Sequence, residues 1–286
     1  MDEVISEIEN IILHKSSRGM DLIKNSLEKG YTLRAAKLII NNPGTVLIGT
    51  GFPAAGSFET DGPIGAVALY NALKTLGYKP VFVFAPPIFN AFKNKFDVFE
   101  FPILDWNASV PFVKDALNEL SPSLIISIER AGAASDGKYY NMRKKEITEL
   151  VSKFDLFFKM SDSPTIAIGD GGNEIGMGNV LNHLKGLDII PSVTQCTELI
   201  IATVSNWGAY GIIAALSVLL RRDLFLSFNT FEIMEFIIEQ GSVDGINHSS
   251  EYTEDGFPIE TGQEVIALLK RSADLFLQNK NVLAVN

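Results

Sequence analysis

The chain has one cysteine, Cys196, in 286 residues. One thiol forms no intramolecular disulfide, so burial alone must hold the fold, as suits a reducing compartment. Histidine is nearly as scarce. His14, His183 and His248 have no metal-ligand spacing, and Cys196 has no His or Asp pattern near it, so neither a zinc site nor a thiol nucleophile is expected. Positive charge is short too: 24 basic residues face 34 acidic ones, for a net charge of −10. An acidic surface repels phosphate backbones and argues against nucleic acid as a partner. A local arginine can still reverse the field inside a pocket and admit a small anion. Long apolar runs are missing as well. The longest, Trp207–Leu220, is too short to span a bilayer and contains Ser217 and glycines. The opening Met-Asp-Glu-Val-Ile-Ser-Glu-Ile-Glu-Asn lacks the basic start of a signal peptide and is too acidic for a transit peptide. These deficits predict a cytoplasmic protein with no membrane partner. Nothing in the sequence excludes a homo-oligomer.

What the chain does have is apolar residues, 47% of the total, enough for a large core without staples. Val4, Ile5, Ile8, Ile11 and Ile12 recur at helical spacing, as do residues 22–27 and 33–40, before Asn41-Asn42-Pro43-Gly44 breaks the chain. Residues 1–42 read as a helical segment packed on an α/β catalytic unit formed by 43–286, one structural domain overall. After Gly44, short apolar runs alternate with helical patterns. The runs are 45–48, 80–85, 123–128, 165–168 and 199–204, with 98–103 a weaker one. Helical patterns cover 63–76, 88–96, 110–120, 147–158 and 209–220, and two more, 231–240 and 262–278, close the chain. The alternation predicts a mainly parallel sheet with helices on both faces.

Polar residues gather after the strands, where open parallel sheets bind ligands. Thr50-Gly51 follows the first strand and Glu129-Arg130 the run that ends at Ile128. Asp170-Gly171-Gly172-Asn173-Glu174 follows Gly169, and Ser205-Asn206 follows Val204. The first loop fits a permissive dinucleotide pattern, but Pro53 stands where a helix should start and no acid follows the next strand, so no organic cofactor is expected. The 169–178 loop has five glycines, whose N–H groups could cradle an anion at a helix start, yet it lacks the Lys-Ser/Thr of a P-loop. Asp170 and Glu174 could move protons or hold a divalent cation such as Mg or Mn. Asp61 reads as the N-cap of the helix beginning at Pro63, while Glu59 has no such structural duty. Arg130 offers two parallel hydrogen bonds to a carboxylate, or else an ion pair to Glu129. Trp207 reads as packing.

Taken together, Gly-Phe-Pro (51–53), Glu-Thr-Asp-Gly-Pro-Ile-Gly-Ala (59–66), Ser-Ile-Glu-Arg-Ala-Gly (127–132), Asp-Gly-Lys-Tyr-Tyr-Asn-Met-Arg (136–143), Gly-Asp-Gly-Gly-Asn-Glu-Ile-Gly-Met-Gly-Asn (169–179), Ser-Asn-Trp-Gly (205–208) and Val-Asp-Gly-Ile (243–246) resemble the D-glutamate cyclase family. One departure is Lys144, where the family pattern has Gly after Met-Arg. The resemblance implies a hydro-lyase that closes D-glutamate to 5-oxo-D-proline. The α-amine attacks the γ-carboxyl, which needs a base, a neutralised carboxylate and a folded substrate. Asp170 or Glu174 could be the base, and so could Glu59 or Asp61. The glycines or a metal would aid the electrophile and Arg130 would clamp the α-carboxylate, beside Glu129, Asn173, Ser205, Asn206 and Thr50. Two other readings share these residues: a metal-assisted enzyme acting on another small carboxylate or phosphate ester, and a non-catalytic sensor of D-glutamate or 5-oxoproline.

Overall fold

Strands β1 (Thr45–Gly49), β2 (Lys79–Phe84), β3 (Val98–Glu100), β4 (Leu124–Ile128), β5 (Thr165–Gly169) and β6 (Glu198–Ile201) form one sheet. The computed structural model describes residues 1–283. The sheet order is β3-β2-β1-β4-β5-β6, and every pairing is parallel. The chain therefore builds outward from β1 to one edge, then returns to β1's other side and builds to the opposite edge. The order reverses between β1 and β4, which opens a crevice beyond their carboxyl ends. Register levels those ends: Gly49 lies beside Ser127, and Ile128 beside Ile168. The strand residues of β4, β5 and β6 are all buried, as their continuous Ile, Leu and Ala content requires of a sheet covered on both faces.

Helices α1 (Asp2–Ile11), α2 (Tyr31–Asn41), α3 (Pro63–Thr75), α4 (Trp106–Leu120), α5 (Ser205–Leu220), α6 (Thr230–Glu239) and α7 (Ile259–Leu283) surround the sheet. Residues 205–218 of α5 are buried throughout, because α2, α3 and α7 all pack on it. A helix apolar on every side belongs in such a place. No helix among the described residues is long and apolar enough to cross a membrane. The N-terminal segment shares the main core: Val4, Ile5, Ile8 and Ile12 join it, and Arg34 on α2 reaches Glu198 on β6 with Nε at 2.7 Å and Nη2 at 3.0 Å.

The 147–158 helical pattern is realised only as a 3₁₀ turn at Thr148–Leu150 and a short helix at Asp155–Met160. Between them Val151 is extended, which sends Ile147 and Val151 to a satellite cluster with Phe52 and Tyr139 while Phe154 and Phe157 enter the main core. Two small hairpins had no counterpart in the sequence reading: Pro53–Ala54 with Ser57–Phe58, and Thr253–Glu254 with Phe257–Pro258. Both have positive φ at the two turn residues, Ala55-Gly56 and Asp255-Gly256, the geometry that matches strand twist in tight hairpins. Their strands lead straight to the crevice.

Candidate active site

The crevice fills with acids. Glu59, Asp61, Glu129, Asp170 and Glu174 are buried together at the strand ends, and Glu254 joins from the second hairpin. Above them lies a cavity of about 550 Å³ bordered by Arg18, Glu59, Glu129, Asn173, Glu174 and Asp255. Asp61 and Asp170 are withdrawn from its surface, yet oxygens of Asp61, Glu129 and Asp170 all lie within 4.8 Å of one another.

Each acid is held differently. Asp61 does not cap the helix that follows it, contrary to the sequence reading. Gly62, at φ +92°, turns the chain at the start of α3, where a Cβ would collide with Thr50 and Glu129. Asp61 is thereby aimed at α5, and it accepts from Ser205 N at 2.9 Å and Asn206 N at 2.8 Å. The arrangement is reciprocal, because Asn206 Oδ1 accepts from Gly62 N at 2.9 Å and Gly65 N at 2.7 Å on α3. Two helix starts thus satisfy each other's orphan donors. Asn206 Nδ2 and Trp207 Nε1 donate to Glu254, at 2.7 and 2.8 Å. Trp207 therefore packs and also fixes an acid.

Glu129 sits at φ +42°, a left-handed conformation uncommon for a non-glycine residue and a mark of functional sites. Its Oε2 accepts from Ser205 Oγ at 2.6 Å. Glu174 turns back into its own glycine loop, accepting from Gly171 N at 2.9 Å and Gly172 N at 2.7 Å. The two glycine donors expected to cradle a ligand are therefore occupied by the chain itself. The loop then passes into a 3₁₀ stretch, Met177–Gly186, and does not open an α-helix. Asn173 Nδ2 donates to Tyr140 O at 2.9 Å. Glu59 alone among these acids has a side chain with no hydrogen-bond donor among the described residues, and it faces the cavity beside Gly245.

The cation that meets these acids is Arg18, which the sequence reading passed over. Its Nη2 donates to Asp170 Oδ2 at 2.5 Å, to Asp255, and to Thr203 O at 3.3 Å. Burial opposes its charge, but Asp170, Glu129, Glu174 and Asp61 more than offset that and hold its pKa above the ordinary value. One arginine cannot balance so many acids. Burial first, then mutual repulsion, pushes Glu59 and Glu129 well above the usual carboxylate range. Asp170 is raised to about 8 by burial, against the pull of Arg18, with Asp61 adding to the rise. Asp61 is raised to about 6 by burial and by Glu254, held back by the backbone donors of Asn206 and Ser205 and then by Asp170. Asp170 thus stands above Asp61, and its buried Oδ1 has no hydrogen-bond partner among the described residues.

Arg130 lies elsewhere. Its Nη1 donates to Thr50 O at 2.7 Å, its Nη2 to Ser152 Oγ at 2.5 Å, and the guanidinium stacks 5.0 Å from the centre of Phe154. It pairs with neither Glu129 nor any other carboxylate among the described residues, and burial lowers its pKa to about 10. With Gly51 it borders a separate pocket of about 30 Å³, and Thr50 is likewise absent from the large cavity's lining. Ser205 and Asn206 stand behind the acids as their supports.

A model of the family described as D-glutamate cyclase-like, C-terminal, matches residues 8–270. The chain belongs to this family. The human mitochondrial D-glutamate cyclase is 34% identical over 245 residues, which are 75% of this chain and 39% of that protein. This D-glutamate cyclase-like chain therefore spans about two fifths of that relative's length. A solved exopolyphosphatase-related protein from Bacteroides fragilis aligns over 86% of this chain and 57% of its own, with 11% identity and a TM-score of 0.42, too distant a likeness to bear on function. The family match takes in both Arg18 and Asp255. Lys144, the departure from the family pattern, sits at φ +57°, a conformation that glycine adopts without strain.

Arg18, Glu254 and Asp255 escaped the sequence reading. The usable signals were Asp255-Gly256, a favoured hairpin dipeptide, and a lone arginine in the Ser-Ser-Arg-Gly break after α1.

Proposed function

We propose that this chain catalyses dehydrative ring closure of D-glutamate to 5-oxo-D-proline. One observation carries the reading, together with the family: Glu59, a carboxylate without a donor, shares a cavity with Arg18 and with acids that hold protons. The substrate brings an ammonium and two carboxylates. An ammonium entering this acid floor supplies the missing countercharge, so Glu59 ionises as it binds and then takes the ammonium's proton. Ring closure moves two protons from nitrogen to the departing oxygen, so two carboxyl groups serve better than one. Glu59 acts on the nitrogen side. Glu129, oriented by Ser205 Oγ, donates on the oxygen side. Arg18 holds the α-carboxylate in a planar fork, and Asp170 with Asp61 fixes Arg18 from behind. In this assignment the clamp is Arg18 and Arg130 braces the ends of β1 and β4.

A divalent cation of the Mg or Mn class fits the converging oxygens of Asp61, Glu129 and Asp170, and the buried Asp170 Oδ1 has no hydrogen-bond partner among the described residues. Held there, it would neutralise the γ-carboxylate. The experiment is incubation with D- and L-glutamate, with 5-oxoproline read by mass and chirality. Product from the D-enantiomer, absent from Glu59→Gln, is the expected result. Folded protein that turns over neither enantiomer, or both equally, refutes the reading.

A further inference from the structure

We propose that the same site cyclises γ-D-glutamyl amides bearing an apolar group, expelling an amine where D-glutamate expels water. This rests on the reading above, in which the acid floor closes the glutamyl ring. Two features of the cavity carry it further. The first is size. D-glutamate has about ten non-hydrogen atoms, some five waters' worth of volume at ~30 Å³ each. That is roughly a quarter of the 550 Å³ present, a volume typical of sites for larger ligands. The second is what lines the remainder. Pro53, Pro86, Pro87 and Leu150 border the large cavity and also a small adjoining pocket that contains none of the carboxylates, so the apolar lining is segregated from the acids. Leu150 stays 56% exposed there, and Ile103, which lines the large cavity alone, 37%.

Chemistry says where an apolar group can sit on a glutamyl substrate. The α-amine is the nucleophile and must be free. The γ-carbonyl is the group that departs from its substituent, so a γ-substituent costs the reaction nothing. The cavity's lining carries both signs, Glu59, Glu129, Glu174 and Asp255 with Arg18, Arg143 and Lys145, so a neutral γ-amide is admitted alongside a γ-carboxylate. The step balances without a further reactant. The α-ammonium gives one proton to Glu59 and bonds to the γ-carbon; the γ-carbon–nitrogen bond breaks, and the second proton from the α-nitrogen passes through the carboxyls to the leaving amine.

The test uses γ-D-glutamyl-4-nitroanilide beside D-glutamate, with the γ-L-isomer as control. Release of 4-nitroaniline and 5-oxo-D-proline in equal amounts is the expected result. Leu150→Glu and Ile103→Glu, both at exposed positions, should lower the ratio of the anilide's kcat/KM to that of D-glutamate by about tenfold or more, the size of a lost apolar contact. Turnover of D-glutamate with the anilide untouched overturns the inference and leaves the cyclase reading standing. Release of 4-nitroaniline with D-glutamate in place of 5-oxoproline also overturns it, since that is hydrolysis. Turnover of neither compound sinks both.

Discussion

Consider the chelator-treated protein melted at a series of pH values between about 5 and 8. Asp170, Glu174 and Glu254 have pKa values pushed, chiefly by burial, to about 8, about 7 and about 7. The same groups in an unfolded chain titrate near 4. Between those limits the folded state keeps protons that the unfolded state has released. Stability must then fall as pH rises, by about 1.4 kcal/mol per pH unit for each proton retained. The contribution is fully present below about pH 4 and lost above about pH 8. One retained proton over two pH units is about 3 kcal/mol, and at roughly 2–4 °C per kcal/mol for a domain approaching this size, Tm drops by about 6–12 °C between pH 5 and 7. Asp170→Asn, which removes the most shifted of the three, should flatten the slope and raise Tm at pH 8. A melting temperature that stays level or climbs over this range would mean the acids are ionised in the fold and would refute the account of the site. So would an unchanged slope in Asp170→Asn.

Three more outcomes are expected. Glu59→Gln should lower kcat by about 10²–10⁴ while leaving Tm unchanged or higher, because it removes a proton acceptor and a repelled charge together; kinetics and calorimetry on one preparation decide it. Arg18→Lys should cut kcat/KM by about 10- to 150-fold through loss of a charged hydrogen bond to substrate, whereas Arg130→Lys should lower Tm and spare KM. Asn206→Ala should shift the urea midpoint by about 1–3 kcal/mol of stability with m unchanged, since it deprives two α3 donors and Glu254 of a partner.

The sheet was legible because its signal is local. Runs such as Leu124–Ile128 are buried at every position and apolar at all but Ser127, and their spacing with helical patterns dictates a covered parallel sheet. The strand-end rule then located Glu129, Asp170 and Glu174 in one crevice, and Glu59 stood out for want of a capping duty. What the sequence could not convey was direction. Asp61 precedes a helix and looks like its cap, yet its partner is 144 residues away, because Gly62 turns the chain. Glu129 and Arg130 are neighbours in sequence, but the left-handed turn at Glu129 parts them: one enters the cavity and the other reaches Thr50 and Ser152. The glycine loop read as an open cradle because nothing in its composition says that Glu174 will fold back into it. Periodicity also failed at 147–158, where one stretch feeds two separate clusters and cannot stay helical.

Arg18 meets Asp255 across 237 residues of chain. At a ribosomal rate of about 5–20 residues per second, roughly 12–47 s pass between the synthesis of one partner and the other. During that interval the arginine is tethered to helices that can already pack, while the carboxylates it must meet emerge one loop at a time. Refolding in vitro has the same shape: helices and strands close through short loops, and this contact closes through one of the longest. Recovery of ligand binding should therefore trail recovery of helical signal, and a nascent chain halted before the second hairpin would lack Asp255 and a completed acid site.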